Sequence, residues 1–172
     1  MITIISASNR DGNLTASYSS YCRKILSASS QDFAFYNLAD IPDQFSLKSV
    51  YDYETSYFEK LAREIIQPAD KFLFVIPEYN GSFPGILKLF IDAVHPRYFK
   101  GKKAALIGVA AGRAGNLRGM DHFSDILNHL QVHVLPQKLP ISKMDAFLEA
   151  DELVDQETMH SIDEQLKRLI EF

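Results

Sequence analysis

The run Phe72-Leu73-Phe74-Val75-Ile76 constrains this chain more than any other stretch. Five apolar residues without alternation suit a strand buried on both faces, and such strands belong to parallel sheets covered by helices on either side. The residues that follow are dominated by polar or turn-forming types: Pro77, Glu78, Asn80, Gly81, Ser82, Pro84 and Gly85. From Ile86 to Val94 apolar residues return at helical spacing. Strand, loop and helix in that order put the loop at the carboxyl end of a strand, where open parallel sheets bind ligands. The loop is expected to grip a planar cofactor.

The same alternation runs along the rest of the chain. Ile2 to Ile5 reads as a short buried strand that opens into the small, hydroxylated and turn-favouring segment Ser6 to Thr15. Leu14, Tyr18, Ile25 and Leu26 supply the apolar side of the helix after it. Phe33 to Leu38 predicts a second strand, ended by Asp40 and the Ile41-Pro42 pair. Residues 43 to 53 show no period and read as a loop, whereas Tyr57, Leu61 and Ile65 mark an amphipathic helix over 55 to 67. Ala104 to Val109 predicts another buried strand, leading into a glycine-bearing loop from Ala110 to Asn116. Met120, Phe123, Ile126, Leu127 and Leu130 mark the next helix. Val132, Val134 and Leu135 form a final short strand, and Met159, Ile162, Leu166, Leu169 and Ile170 line a last helix. Five strands alternating with five helices predict a three-layer α/β fold, a parallel sheet with helices on both faces. At 172 residues that pattern favours the flavodoxin-like strand order 2-1-3-4-5 and a single domain over residues 1–172.

Composition removes several function classes. The formal net charge is −4 with no long basic block, so nucleic-acid binding has no electrostatic footprint. No stretch approaches the ~18 apolar residues of a membrane span. Met1-Ile2-Thr3-Ile4-Ile5 lacks the basic start and long apolar core of a secretory leader, so a cytoplasmic location is expected. The lone Cys22 excludes an intrachain disulfide and reads as a small buried hydrophobe on the first helix. His95, His122, His129, His133 and His160 are scattered without metal-ligand spacing, and Glu149 to Glu157 reads as a solvated segment. No metal site and no catalytic nucleophile–base pair is expected.

In the order 2-1-3-4-5 the first and third strands flank the switch point, so the loops after Ile5 and Ile76 should converge. Ser6, Ser8, Asn13 and Thr15 offer side-chain donors and Arg10 a cation, beside a helix start with open N–H groups and about half a positive charge. Two readings of this loop follow from its residues. It holds a phosphate, or Asn13 or Ser8 merely caps the helix while Arg10 is solvated. There is no G-x-G-x-x-G and no G-x-x-x-x-G-K-[ST], so neither a Rossmann fingerprint nor a P-loop is present.

The residues resemble the NADPH-dependent FMN reductases, which include quinone and azo-dye reductases of flavodoxin-like fold. Ser6-Ala7-Ser8-Asn9-Arg10-Asp11-Gly12-Asn13 is similar to that family's first loop, with Ser6 where glycine is usual. The stretch from Pro77-Glu78-Tyr79-Asn80-Gly81-Ser82 through Pro84-Gly85 to Ile91-Asp92 resembles its longest motif, and Gly112, Gly115 and Arg118 resemble its glycine-rich third turn. The resemblance implies that Ser6, Ser8, Arg10, Asn13, Leu14 and Thr15 surround the phosphate of FMN. It implies that Pro77, Glu78, Tyr79, Asn80, Gly81 and Ser82 run along the flavin ring, with Ala111, Gly112, Gly115 and Asn116 closing on its other edge. Glu78 would shape its loop, and Arg113 and Arg118 are either solvated or near the 2′-phosphate of NADPH. The implied activity passes hydride from NADPH or NADH through FMN to a flavin, quinone or azo acceptor. An FMN electron carrier of flavodoxin type and a cofactor-free binding module are the alternatives. The resemblance also implies a homodimer or homotetramer; Phe83, Phe90, Tyr98 and Phe99 would serve its interface or pack in the core.

Overall fold

A computed structural model describes residues 1–42, 44 and 47–172. Strand β3 (Lys71–Pro77) lies at the centre of a parallel sheet, between β1 (Ile2–Ser6) and β4 (Lys103–Val109). Strand β2 (Phe33–Asn37) pairs the outer side of β1, and β5 (His133–Val134) pairs the outer side of β4. The strand order is therefore β2-β1-β3-β4-β5, as the alternation of elements predicts.

Side chains of successive strand residues leave on opposite faces. Phe72, Phe74 and Ile76 of β3 join Leu106 of β4 on one face. That face is covered by α2 (Tyr57–Leu61), α3 (Gly85–Ala93) and α4 (Leu117–His129). Leu73 and Val75 join Ile4 and Ile107 on the other, under α1 (Thr15–Ser27) and α5 (Gln156–Glu171). Phe74 meets Phe123 of α4 edge to face at 4.9 Å between centroids. Each fully buried phenylalanine contributes roughly 2–3 kcal/mol of apolar burial. Phe90, Phe99 and Tyr98 are buried in this core, so packing within the chain accounts for them, while Phe83 is only partly covered.

Four details depart from the sequence reading. First, the fifth strand is split. After β5 the chain leaves the edge at Pro136 and returns as β6 (Leu139–Ile141), which pairs the far half of β4. Proline has no N–H to offer a ladder, and the buried amide of Gln165 on α5 fills the gap, donating to the carbonyls of Leu106 and Gln137. Second, the helix expected over 55 to 67 is α-helical only from Tyr57 to Leu61 and continues as a π turn, Ala62–Ile66. The Ile65 carbonyl accepts a 2.6 Å bond from the Thr3 hydroxyl on β1. Third, of the loop expected over 43 to 53, Leu47–Tyr51 forms a 3-10 helix, and residues 43, 45 and 46 lie outside the described residues. Fourth, the stretch read as merely solvated carries a small hairpin, β7 (Leu148–Glu149) with β8 (Glu152–Leu153). Ala150 and Asp151 turn it at φ 47° and 64°, the left-handed pair that two-residue hairpins need.

Two glycines let main chain lie directly on main chain. A Cβ on Gly108, mid-strand in β4, would sit 2.3 Å from the Gly115 carbonyl oxygen. One on Gly119, in the first turn of α4, would sit 2.1 Å from Asn116 Oδ1 and 2.8 Å from the Ser82 carbonyl carbon. Because a backbone carbonyl cannot move aside alone, Gly108→Ala is expected to destabilise the chain by roughly 3 kcal/mol. Urea denaturation checks this: the midpoint should fall with little change in slope.

Candidate functional site

The register brings the expected loops together. Ser6 of β1 sits beside Val75 of β3, and the Ala7 N–H bonds the Val75 carbonyl at 2.9 Å. Past the strand ends, the Ser8 and Tyr79 hydroxyls share a 2.6 Å hydrogen bond that joins the first loop to the second. Between these loops opens a cleft of about 420 Å³. Arg10, Gly12, Asn13, Leu14 and Thr15 form one wall, Pro77, Glu78 and Tyr79 another. Val109, Ala110 and Ala111 line it from the end of β4, with Met144 and Asp145 opposite.

The first loop is folded by its own polar groups. Asn13 donates through Nδ2 to the Arg10 carbonyl at 2.7 Å and accepts through Oδ1 from the Ala16 N–H at 3.1 Å. Ser8 Oγ accepts from the Arg10 N–H at 3.2 Å. Asn13 therefore does serve the helix start, as one of the two readings of this loop holds. Helix α1 nevertheless begins at Thr15 behind Leu14, which has no side chain able to cap it, and carries no acidic residue in its first turn. Thr15 lines the cleft, is fully buried, and its Oγ1 has no hydrogen-bond partner; the buried Ser6 hydroxyl is in the same position. A buried hydroxyl without a partner costs free energy unless a ligand supplies one. Arg10 lies exposed at the rim.

The second loop is a miniature hairpin. Tyr79 and Ser82 exchange both N–H···O bonds, at 2.9 and 3.1 Å. Asn80 (φ 52°) and Gly81 (φ 77°) make the two-residue left-handed turn between them. Helix α4 holds the outside of this turn. Arg118 packs over Gly81 and reaches Glu78 Oε1 at 3.5 Å, and His122 Nδ1 bonds Ser82 Oγ at 3.0 Å. Asn116, buried at φ 62°, donates from Nδ2 to the Ile76 carbonyl at 2.9 Å.

Of the residues the sequence points to, Arg10, Asn13, Leu14, Thr15, Pro77, Glu78, Tyr79 and Ala111 line the cleft. Ser6 and Ser8 are buried close by, and Ser8 is committed to Tyr79. Asn80, Gly81 and Ser82 form the turn that faces α4 rather than the lining itself. Gly112, Gly115 and Asn116 stand behind the cleft: the Gly112 carbonyl accepts from the Lys143 N–H, and Gly115 backs onto Pro140 and Ile141. Sequence reasoning missed Gly12, Val109, Ala110, Met144 and Asp145. Gly12 lies inside the first motif, and Val109 and Ala110 mark the strand end, so these were findable. Met144 and Asp145 belong to no motif and arrive through the return along β6. The fully buried Tyr18 fixes them, donating its hydroxyl to the Met144 carbonyl at 2.5 Å. Burial raises the Tyr18 phenol well above its ordinary range, and the Asp145 and Asp155 carboxylates add to this, so it remains a donor.

A parallel sheet of this order, with its cleft at the switch point between β1 and β3, defines a flavodoxin-like α/β ligand-binding protein. The chain belongs to the NADPH-dependent FMN reductase family, whose model matches residues 1–145. It is 41% identical over 112 residues to an NAD(P)H-dependent FMN reductase of Pseudomonas aeruginosa, a match covering 62% of this chain and 60% of that relative. It is 30% identical over 117 residues to a 2-hydroxy-1,4-benzoquinone reductase of a Burkholderia species, covering 66% of this chain and 63% of the relative. The chain thus spans under two thirds of the length of these two relatives. Its fold is similar to that of a flavoenzyme NAD(P)H:(acceptor) oxidoreductase from Paracoccus denitrificans, with a TM-score of 0.76 at 21% identity over 99% of this chain and 97% of that one. Among the described residues no helix is long and apolar enough to cross a membrane, and no group of three or more His, Cys, Asp or Glu side chains could hold a metal ion.

Cys22 lies outside the cleft, fully buried on α1, and burial pushes its thiol up to about 12. A thiol titrating that high is protonated throughout the neutral range and unreactive. Ellman's reagent at pH 8 is expected to leave the native chain unlabelled and to label one thiol once the chain is unfolded.

Proposed function

We propose that residues 1–172 form a single FMN-binding domain and that the chain is an NAD(P)H oxidoreductase acting on a flavin, quinone or azo acceptor. The observation that carries this reading is the buried, unpartnered Thr15 hydroxyl in the cleft wall, at a helix start that no side chain caps at Leu14. That donor set fits the phosphate of FMN: a buried O–H, the open N–H groups of a helix start and the Arg10 guanidinium. Bound FMN would supply the hydride chemistry, accepting from the nicotinamide and delivering to the acceptor.

What remains for the protein is binding and orientation. Thr15 and the first turn of α1 hold the phosphate, with Ser6, Ser8, Arg10, Asn13 and Leu14 around them. The Glu78 N–H is taken by the Val109 carbonyl at 3.0 Å and the Tyr79 N–H by Ser82, so neither is available to a ligand. The turn leaves the N–H groups of Asn80 and Gly81 outside its own pairing, and these are the donors for the polar edge of the flavin ring. Pro77, Glu78 and Tyr79 flank the ring, Arg118 and His122 hold the turn from behind, and Ala111 with Gly112 borders the opposite edge. Gly115 and Asn116 act through the backbone they position. The relative named as a 2-hydroxy-1,4-benzoquinone reductase and a Pseudomonas putida quinone reductase, 40% identical over 67 residues, favour a quinone among the acceptors. A cytoplasmic location and a homodimer or homotetramer belong to the same reading; the exposed Leu117, beside the third loop, offers such a partner an apolar contact.

NAD(P)H oxidation by the FMN-loaded protein, with a quinone as acceptor, tests the proposal. Steady turnover is expected, and rapid reduction by NADPH in stopped flow separates a reductase from a flavodoxin-type carrier. Replacing Arg10 and Thr15 together with alanine should weaken FMN binding roughly a hundredfold, since two bonds to a charged group contribute about 3 kcal/mol. A protein that neither binds FMN nor oxidises NAD(P)H overturns the reading.

A further inference from the structure

A second large cavity, of about 460 Å³, lies at the opposite end of the sheet and is lined by Arg63, Gln67, Arg97, Tyr98 and Lys102. Lys102 immediately precedes β4, and Gln67 lies just before β3. The flavin cleft is at the far ends of these seven-residue strands, so at ~3.3 Å per residue roughly 20 Å separates the two.

Against the cationic lining lies one carboxylate. Glu59, only 2% exposed, accepts at Oε1 from the Tyr98 hydroxyl at 2.7 Å, Arg63 Nε at 2.8 Å and Arg97 Nη2 at 3.3 Å. Burial alone would raise its pKa, but the Tyr98 hydroxyl and the two arginines hold it below the ordinary carboxylate range, so it is ionised at neutral pH. One carboxylate needs one counter-ion, and here there are three cations. Another nearby carboxylate, Asp70, is paired with the Met1 amino group at 2.6 Å.

The surplus donors converge on the cavity. Arg63 uses only Nε on Glu59, which leaves both terminal nitrogens of its fork. Arg97 spends Nη2 on Glu59 and Tyr98, which leaves Nε and Nη1. Lys102 donates two N–H groups to the Ile66 and Gln67 carbonyls, at the end of the π turn, and retains a third. Glu59 and the turn carbonyls therefore act as anchors that fix three cationic heads around one space. Held guanidinium forks lose less freedom on meeting an oxyanion than mobile ones do. π turns inside helices occur frequently at functional sites. We propose that this cavity is a second ligand site, which takes a small phosphate-bearing anion on Arg63, Arg97 and Lys102 over the floor that Glu59 provides.

The test is titration of the FMN-loaded protein with inorganic phosphate in low-chloride buffer, followed by backbone amide and arginine Nε–H NMR shifts. Occupying the cleft with FMN removes the competing phosphate site. Saturable shifts are expected at Arg63, Gln67, Arg97 and Lys102, and affinity should fall about tenfold in Arg63→Gln/Lys102→Gln, the loss of one strong charge-assisted contact. Lys102→Gln alone touches nothing that holds Glu59, so it should keep the thermal melt and the NAD(P)H turnover of the parent while still weakening phosphate binding. Absence of shifts at these residues, shifts confined to residues 8–15, or affinity unchanged in Lys102→Gln overturns the proposal. NAD(P)H turnover reports the cleft separately, so failure of one site is not mistaken for failure of the other.

Discussion

The structure depends on the burial of β3. Residues Phe72 to Ile76 are wholly removed from water, so every main-chain N–H and C=O in them must find a partner within the sheet. Parallel pairing with β1 on one side and β4 on the other satisfies that demand and at the same time sets the register Ser6 beside Val75 and Val109 beside Pro77. Three strand ends therefore stop at one level. The loops leaving them have nowhere to go but around a common space, and the cleft follows from the pairing rather than from any single side chain.

What turns that space into a specific site is contact between main chains. Gly108 lets the Gly115 carbonyl approach β4, and Gly119 lets the first turn of α4 approach Ser82. Asn116 ties α4 to the end of β3, and Arg118 and His122 take hold of the Asn80-Gly81 turn. On the other side the Ser8–Tyr79 bond joins the phosphate loop to the ring loop. The cleft is thus pre-formed, and the unpartnered hydroxyls of Ser6 and Thr15 are a local cost that an anionic ligand offsets at Thr15, where the cleft reaches.

Sheet order and the convergence of the loops were legible because they rest on local signals: unbroken apolar runs, helical spacing and turn residues. The split of the fifth strand was not, although Pro136 and Pro140 stand in the sequence, because the chain's return to the edge depends on β4 having a free side there and on Gln165 filling the gap at Leu106. The π turn at Ala62–Ile66 escaped the period-four pattern of Tyr57, Leu61 and Ile65, since one extra residue per turn leaves the composition unchanged. Within the site, motif residues near strand ends were found. Met144 and Asp145 were not, because a tertiary bond from Tyr18 places them. The position of Gly115 and Asn116 behind the cleft was equally hidden: a glycine-rich turn looks the same in sequence whether its backbone faces a ligand or a neighbouring strand.

The central claim is that the first loop holds a phosphate and the second the ring it carries. A crystal structure of the chain with FMN tests it most directly. The account predicts the phosphate within hydrogen-bond distance of Thr15 Oγ1 and of the first turn of α1, with the ring's polar edge against the N–H groups of Asn80 and Gly81. A phosphate bound elsewhere, with Thr15 Oγ1 still unpartnered, would contradict it.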